Sequence, residues 1–169
     1  FGVTPDLATF GKGMANGMPL SAIVGRKDIM QLMNEIFFSG TFGGETLSLA
    51  AAKACIEKMK AVNFPSQLWH TGNYLIEQFN QVNPAPELFS IKGLAPWTFL
   101  TINQGKTSSA NLIKSWLIQE LCKNGILSLG THNLSLAHQK TDIDELVQLY
   151  RSLFTKVQEY DQNGVLEQY

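Results

Sequence analysis

Charge is scarce in this sequence. Thirteen basic and 14 acidic side chains among 169 residues leave a formal net charge of -1, with no Lys/Arg cluster. That balance offers no electrostatic footprint for a nucleic acid or an anionic membrane. Cysteine is nearly absent as well. Cys55 and Cys122 are far apart and have no Cys or His at metal-ligand spacing, so neither a metal site nor a disulfide framework is expected. Both lie in apolar, helix-like runs and read as buried free thiols, which suits a reducing cytoplasm. No apolar run reaches membrane-spanning length, no signal-peptide pattern is visible, and there is no internal repeat or low-complexity tract. What is plentiful is apolar: 44% hydrophobic residues are enough for a sizeable core, with surface left over for a partner or for further segments.

Lys12 is the only basic residue before Arg26, and it sits between Gly11 and Gly13 in an otherwise small and apolar stretch running from Pro5 to Gly25. Desolvation in such surroundings disfavours an ammonium ion and prepares an amine to attack a carbonyl. Flanking glycines allow a sharp bend and the close approach of a planar ligand. The same residues are also compatible with a solvated lysine in a Gly-rich turn.

A second constellation is Phe37-Phe-Ser-Gly-Thr-Phe-Gly-Gly-Glu-Thr46, followed by an Ala-rich helix expected over about 45–60. Small residues leading into a helix favour anion binding, because the first backbone N–H groups and the helix dipole point at that end. A hydroxyl such as that of Thr41 adds a donor for phosphate oxygens. Simple capping of the helix by Thr41, Glu45 or Thr46 accounts for the pattern equally well.

The order Pro5-Asp6-Leu7, Lys12, Gly17, Pro19, Gly25-Arg26, together with Ser39-Gly40-Thr41-Phe42-Gly43-Gly44, resembles the class III aminotransferases, and among them the glutamate-1-semialdehyde aminomutase group. The resemblance implies an α/β protein of fold type I of the pyridoxal-phosphate enzymes. Lys12 would hold pyridoxal 5'-phosphate as a Schiff base and shuttle the proton. Gly40 and Thr41 would reach across a homodimer interface to the phosphate of the neighbouring subunit's cofactor. Where relatives often show Gly-Asn-Pro, this chain has Gly44-Glu45-Thr46. Glu45 is compatible with a positive helix end, but a carboxylate turned inward would repel a phosphate.

The same resemblance implies a truncated chain: residues 1–62 the C-terminal part of a cofactor-binding large domain, and 63–169 a C-terminal small domain with its connecting helix. The Asp that pairs with the ring nitrogen, a ring-stacking aromatic and a Gly-rich phosphate loop would all precede Phe1. The chain alone is therefore expected to be inactive or nearly so, while the whole enzyme would transfer an amino group between an amine or amino acid and an aldehyde or ketone. A non-catalytic pseudoenzyme or interaction domain keeping the small-domain fold is the alternative, as is a structural piece of a sugar- or polyketide-modifying enzyme.

Pattern supplies the remaining elements. We expect a strand over 21–25 and a helix over 27–35 with Met30 and Met33 on its apolar face. A further helix runs from a Ser66 cap to Val82, with Leu68, Leu75, Ile76 and Phe79 inward. Strands over 88–92 and 97–102 form a hairpin. Ser108 or Ser109 caps a helix to Lys123 whose buried stripe is Leu112, Trp116, Leu117, Ile118 and Leu121, ended by Asn124-Gly125. Strands over 126–129 and 134–137 precede a last helix capped by Thr141, with Ile143, Leu146, Leu149, Tyr150 and Leu153 on its core face; 158–169 is weakly specified. Among other candidates, His70, His132 and His138 have no partner at fixed spacing and read as surface or satisfied histidines. Thr131-His132-Asn133 is the segment placed for substrate contact by the resemblance. Arg26 could bind an anion but is expected to pair locally.

Overall fold

A computed structural model describes residues 2–168, which fall into two compact units, one ending at Phe64 and the other beginning at Pro65.

In the first unit β1 (Leu7–Phe10) and β2 (Ala22–Gly25) form an antiparallel ribbon, with Leu7 opposite Gly25 and Phe10 opposite Ala22. The segment joining them contains a 3-10 turn over Lys12–Met14, which α2 (Thr46–Ala61) contacts. Arg26 pairs locally, as expected. Its guanidinium holds Asp6 at 2.9 Å and Asp28 at 3.1 and 2.6 Å, tying the start of β1 to the first turn of α1 (Lys27–Met30). The expected helix over 27–35 is split: after one α turn the chain tightens into a 3-10 turn over Gln31–Asn34. Leu7, Phe10, Ile23 and Val24 on the ribbon are exposed, because two strands alone cannot cover one another's faces.

The second unit layers α3 (Phe64–Val82), α4 (Ala110–Lys123) and α5 (Lys140–Asn163) with an antiparallel sheet ordered β3 (Phe89–Leu94), β4 (Trp97–Ile102), β5 (Thr131–Asn133). Its core is aromatic at the centre. Phe154 stacks on Phe89 at 3.8 Å and on Tyr150 at 5.1 Å, and Phe79 meets both Tyr150 and Phe154 edge-on. Ile113, Trp116, Leu117 and Leu121 of α4 pack into the same core. Leu112 and Ile118 of the expected stripe are only half-buried. Ser109 caps α4 by accepting the Leu112 N–H at 3.1 Å, and Gly125 follows the helix in the left-handed region (φ 79), both as expected.

Five expectations are corrected. Ser66 does not cap α3: Asn63 in the left-handed region (φ 49) separates α2 from α3, and Pro65 is accommodated in the helix's first turn, where its missing N–H costs nothing. Neither 126–129 nor 134–137 is a strand; Thr131–Asn133 is, because β4 offers it an edge and Leu100 N–H is satisfied by Gly130 O at 2.8 Å. Thr141 is not the cap of α5. The cap is Gln139, two residues earlier, and the Asp142 carboxylate accepts its N–H at 2.7 Å. Residues 158–168 are well specified, with α5 continuing to Asn163, Gly164 left-handed (φ 66), and Asp161 and Leu166 buried; Tyr169, the last residue of that tail, lies outside the described residues. Cys55 is half-buried and Cys122 is exposed on α4, since the apolar stripe of that helix faces the other way; neither thiol is the buried one expected.

Candidate functional site

Strand geometry delivers Lys12. β1 ends at Phe10, and the chain must reverse to pair β2 against it, so Gly11 to Asn16 winds tightly. The Met14 N–H donates to Gly11 O at 3.1 Å, and Lys12 O accepts N–H groups from Ala15 at 3.3 Å and Asn16 at 3.2 Å. Lys12 itself is left-handed (φ 47), a conformation costing a side-chain-bearing residue about 1 kcal/mol or more. Its side chain is exposed, not desolvated as the sequence suggests: Gly11 and Gly13 contribute no side chains to cover it.

Thr41 and Gly40 sit in a tight turn closed by the Gly43 N–H on Gly40 O at 3.0 Å, and Glu45 N–H then donates to Phe42 O at 3.2 Å. Both residues are exposed, as are Phe37 (95%) and Phe38 (66%) just before them. Among the described residues no hydrogen bond joins Lys12 to Gly40 or Thr41. They share the first unit.

Of the three capping candidates, Glu45 is the one used. Its Oε1 accepts the Leu47 N–H at 2.9 Å and its Oε2 the Ser48 N–H at 2.6 Å. Proximity of the Ser48 side chain first, then these two backbone N–H groups, hold the carboxyl below the usual range, although the buried Ser48 Oγ itself makes no hydrogen bond among the described residues. Ser48, buried, was not singled out in the sequence; its signal is the position three residues after an acceptor that opens a helix.

His132 is the satisfied histidine. One ring nitrogen is hydrogen-bonded to Thr98 Oγ1 and the other to Tyr150 OH, each at 2.8 Å, joining β4, β5 and α5. Burial pushes its pKa down to about 4 and that of Tyr150 up. It lines an open groove of about 690 Å³ bordered by Leu127, Leu129, His138 and Glu145, but with both nitrogens engaged it offers a ligand no free ring donor or acceptor. His138 is exposed and accepts the Ser135 N–H at 3.0 Å; His70 is exposed on α3. Among the described residues no three His, Cys, Asp or Glu side chains are grouped to hold a metal, and no helix is long and apolar enough to cross a membrane.

Comparison with known proteins places the chain in a family. The aminotransferase class-III family profile covers residues 1–155. The chain is 31% identical over 172 aligned positions to a glutamate-1-semialdehyde 2,1-aminomutase of Methylacidiphilum infernorum, covering 93% of this chain and 40% of that protein. It is 26% identical to an acetylornithine aminotransferase of Streptococcus mutans, covering 91% of this chain and again 40% of the relative. Among solved structures, a transaminase with PLP bound superposes with a TM-score of 0.81 at 18% identity, over 95% of this chain and 40% of its own. A β-phenylalanine aminotransferase from Variovorax paradoxus gives 0.78 at 26% identity, over 92% and 39%. The chain thus spans about two fifths of the length of these relatives. With the profile running through both units and the superposition covering 95% of the chain, the chain belongs to the class III aminotransferase family and has the fold of the pyridoxal-phosphate-dependent transaminases.

Proposed function

We propose that this chain is the lysine-bearing, C-terminal part of a pyridoxal 5'-phosphate enzyme that moves an amino group, of the aminotransferase or glutamate-1-semialdehyde 2,1-aminomutase type. One observation carries the reading: in a chain of this family, Lys12 presents an exposed amine from a left-handed turn between two paired strands. The donor set suits the cofactor: Lys12, an exposed primary amine, for the aldehyde of one cofactor, and Thr41, an exposed hydroxyl residue, for the phosphate of a second subunit's.

When bound, pyridoxal phosphate supplies an electron-accepting ring for the bond changes at the amine-bearing carbon. The protein's share is holding and proton transfer. Lys12 Nζ would anchor the cofactor at its carbonyl carbon and, when free, carry a proton to and from the reacting carbon. Thr41 Oγ1 and the Gly40 backbone would bind the phosphate of a second subunit's cofactor, which makes a homodimer the working form. The exposed rings of Phe37 and Phe38 beside that turn support it, because large apolar groups left outside a core favour an interface. The substrates would be an amine or amino acid and a carbonyl acceptor. Two free thiols favour the cytoplasm.

On its own the 169-residue chain should transaminate little or not at all, since it spans only about two fifths of the length of its relatives. The test is to incubate the chain with pyridoxal phosphate, reduce with borohydride and map the adduct by peptide mass spectrometry. A near-stoichiometric adduct at Lys12, lost in Lys12→Ala, is expected; adducts scattered over other lysines would count against the reading.

A further inference from the structure

The helix end that the sequence offers to an anion already holds one. Leu47 and Ser48 carry two of the backbone N–H groups that the start of α2 cannot pair within the helix, and these are the donors a phosphate would use. Both donate to Glu45, one to each carboxylate oxygen, at 2.9 and 2.6 Å. Glu45 also donates its own N–H to Phe42 O at 3.2 Å, so the residue that closes the helix closes the Thr41 loop as well. A phosphate arriving at this end would have to displace the carboxylate, or meet its like charge at close range.

We infer that Glu45 is an internal anion that closes the N-terminus of α2 to phosphate, so that a cofactor phosphate in this segment is met by the Thr41 turn and not by the helix amides. Glu45 is thus a positioning residue: it decides where on the loop an anion can sit without touching it. The inference rests on the proposed cofactor only for which phosphate is meant.

Backbone amide signals of the nitrogen-15-labelled chain, titrated with inorganic phosphate at constant ionic strength, test it. In the native chain the Leu47 and Ser48 signals should hold their positions, whereas in Glu45→Gly both should shift saturably. Glycine costs an N-cap position only a few tenths of a kcal/mol, so α2 should persist. If circular dichroism shows helix loss in that variant, Glu45→Ser keeps a short cap and should still release one amide, seen as a shift of Leu47 or Ser48. Movement of either signal in the native chain, or of neither in a folded variant, would overturn the inference. Failure of the cofactor proposal reads out separately, as the absence of a Lys12 adduct.

Discussion

Thr107 donates to Asp161 twice, once from its backbone and once from its side chain. The Thr107 N–H donates to Asp161 Oδ1 at 2.9 Å, and the Thr107 hydroxyl donates to the Asp161 carbonyl oxygen at 2.5 Å. Lys106 N–H at 2.6 Å and Ser108 N–H at 2.7 Å converge on the same carboxylate, so the last turns of α5 grip the loop that leads into α4. Burial alone would raise the Asp161 pKa, but these donors, Thr107 foremost, outweigh it and hold the group below its ordinary 3.8.

Asp161→Ala should therefore destabilise the second unit by about 2–4 kcal/mol, as it leaves three converging donors without their charged acceptor. Urea unfolding followed by tryptophan fluorescence measures it. Because the folded pKa is depressed, the stabilisation is present above the ordinary 3.8 and is lost as pH falls through the lower folded value. A native chain whose unfolding midpoint is no more acid-sensitive in that range than that of Asp161→Asn would contradict this.

Gly105 lies against the same carboxylate, and a Cβ built there would overlap both Asp161 oxygens. Gly105→Ala should cost about 1–3 kcal/mol by pushing the carboxylate off its donors. The loss should shrink when Asp161 is already alanine, so a double-mutant cycle is the check: additive losses would mean that the two do not share a cause.

Backbone strain at Lys12 makes a prediction independent of chemistry. In its left-handed conformation, Lys12→Gly should be more stable than Lys12→Ala by about 1 kcal/mol. Equal unfolding midpoints for the two variants would show that the turn relaxes without the lysine.

His132 sets the mild-acid behaviour. Its pKa falls from 6.5 to about 4 on folding, so the unfolded chain takes up a proton that the folded chain refuses in between. Stability should accordingly fall as pH drops from 6.5 towards 4, by up to about 3 kcal/mol for a fully realised shift. Proton NMR titration of the ring should show it neutral at pH 5.5, and His132→Gln should flatten the stability profile across that window.

Much of this was legible in the sequence, and the reason is periodicity. The β3–β4 hairpin follows from two apolar runs around a break. The α4 and α5 core faces follow from the 3.6-residue spacing of Trp116, Leu117 and Leu121 and of Ile143, Tyr150 and Leu153, all of them buried. Thr131–Asn133 could not be read in this way: three polar residues carry no strand pattern, and they pair only because β4 exposes an edge and His132 finds Thr98 and Tyr150. Asp161 falls in the stretch 158–169 that pattern specifies only weakly, since its partners lie more than 50 residues away.

At the candidate site the division is the same. By itself the sequence determined that Lys12 stands in a glycine-flanked turn and Thr41 ahead of a helix, because glycine placement and helix propensity act over a few neighbouring residues. Only the tertiary structure decided that the lysine is uncovered, that Glu45 and not Thr41 closes the helix, and that His132 is held neutral. Exposure, hydrogen-bond partner choice and desolvation depend on which distant groups the fold brings within reach.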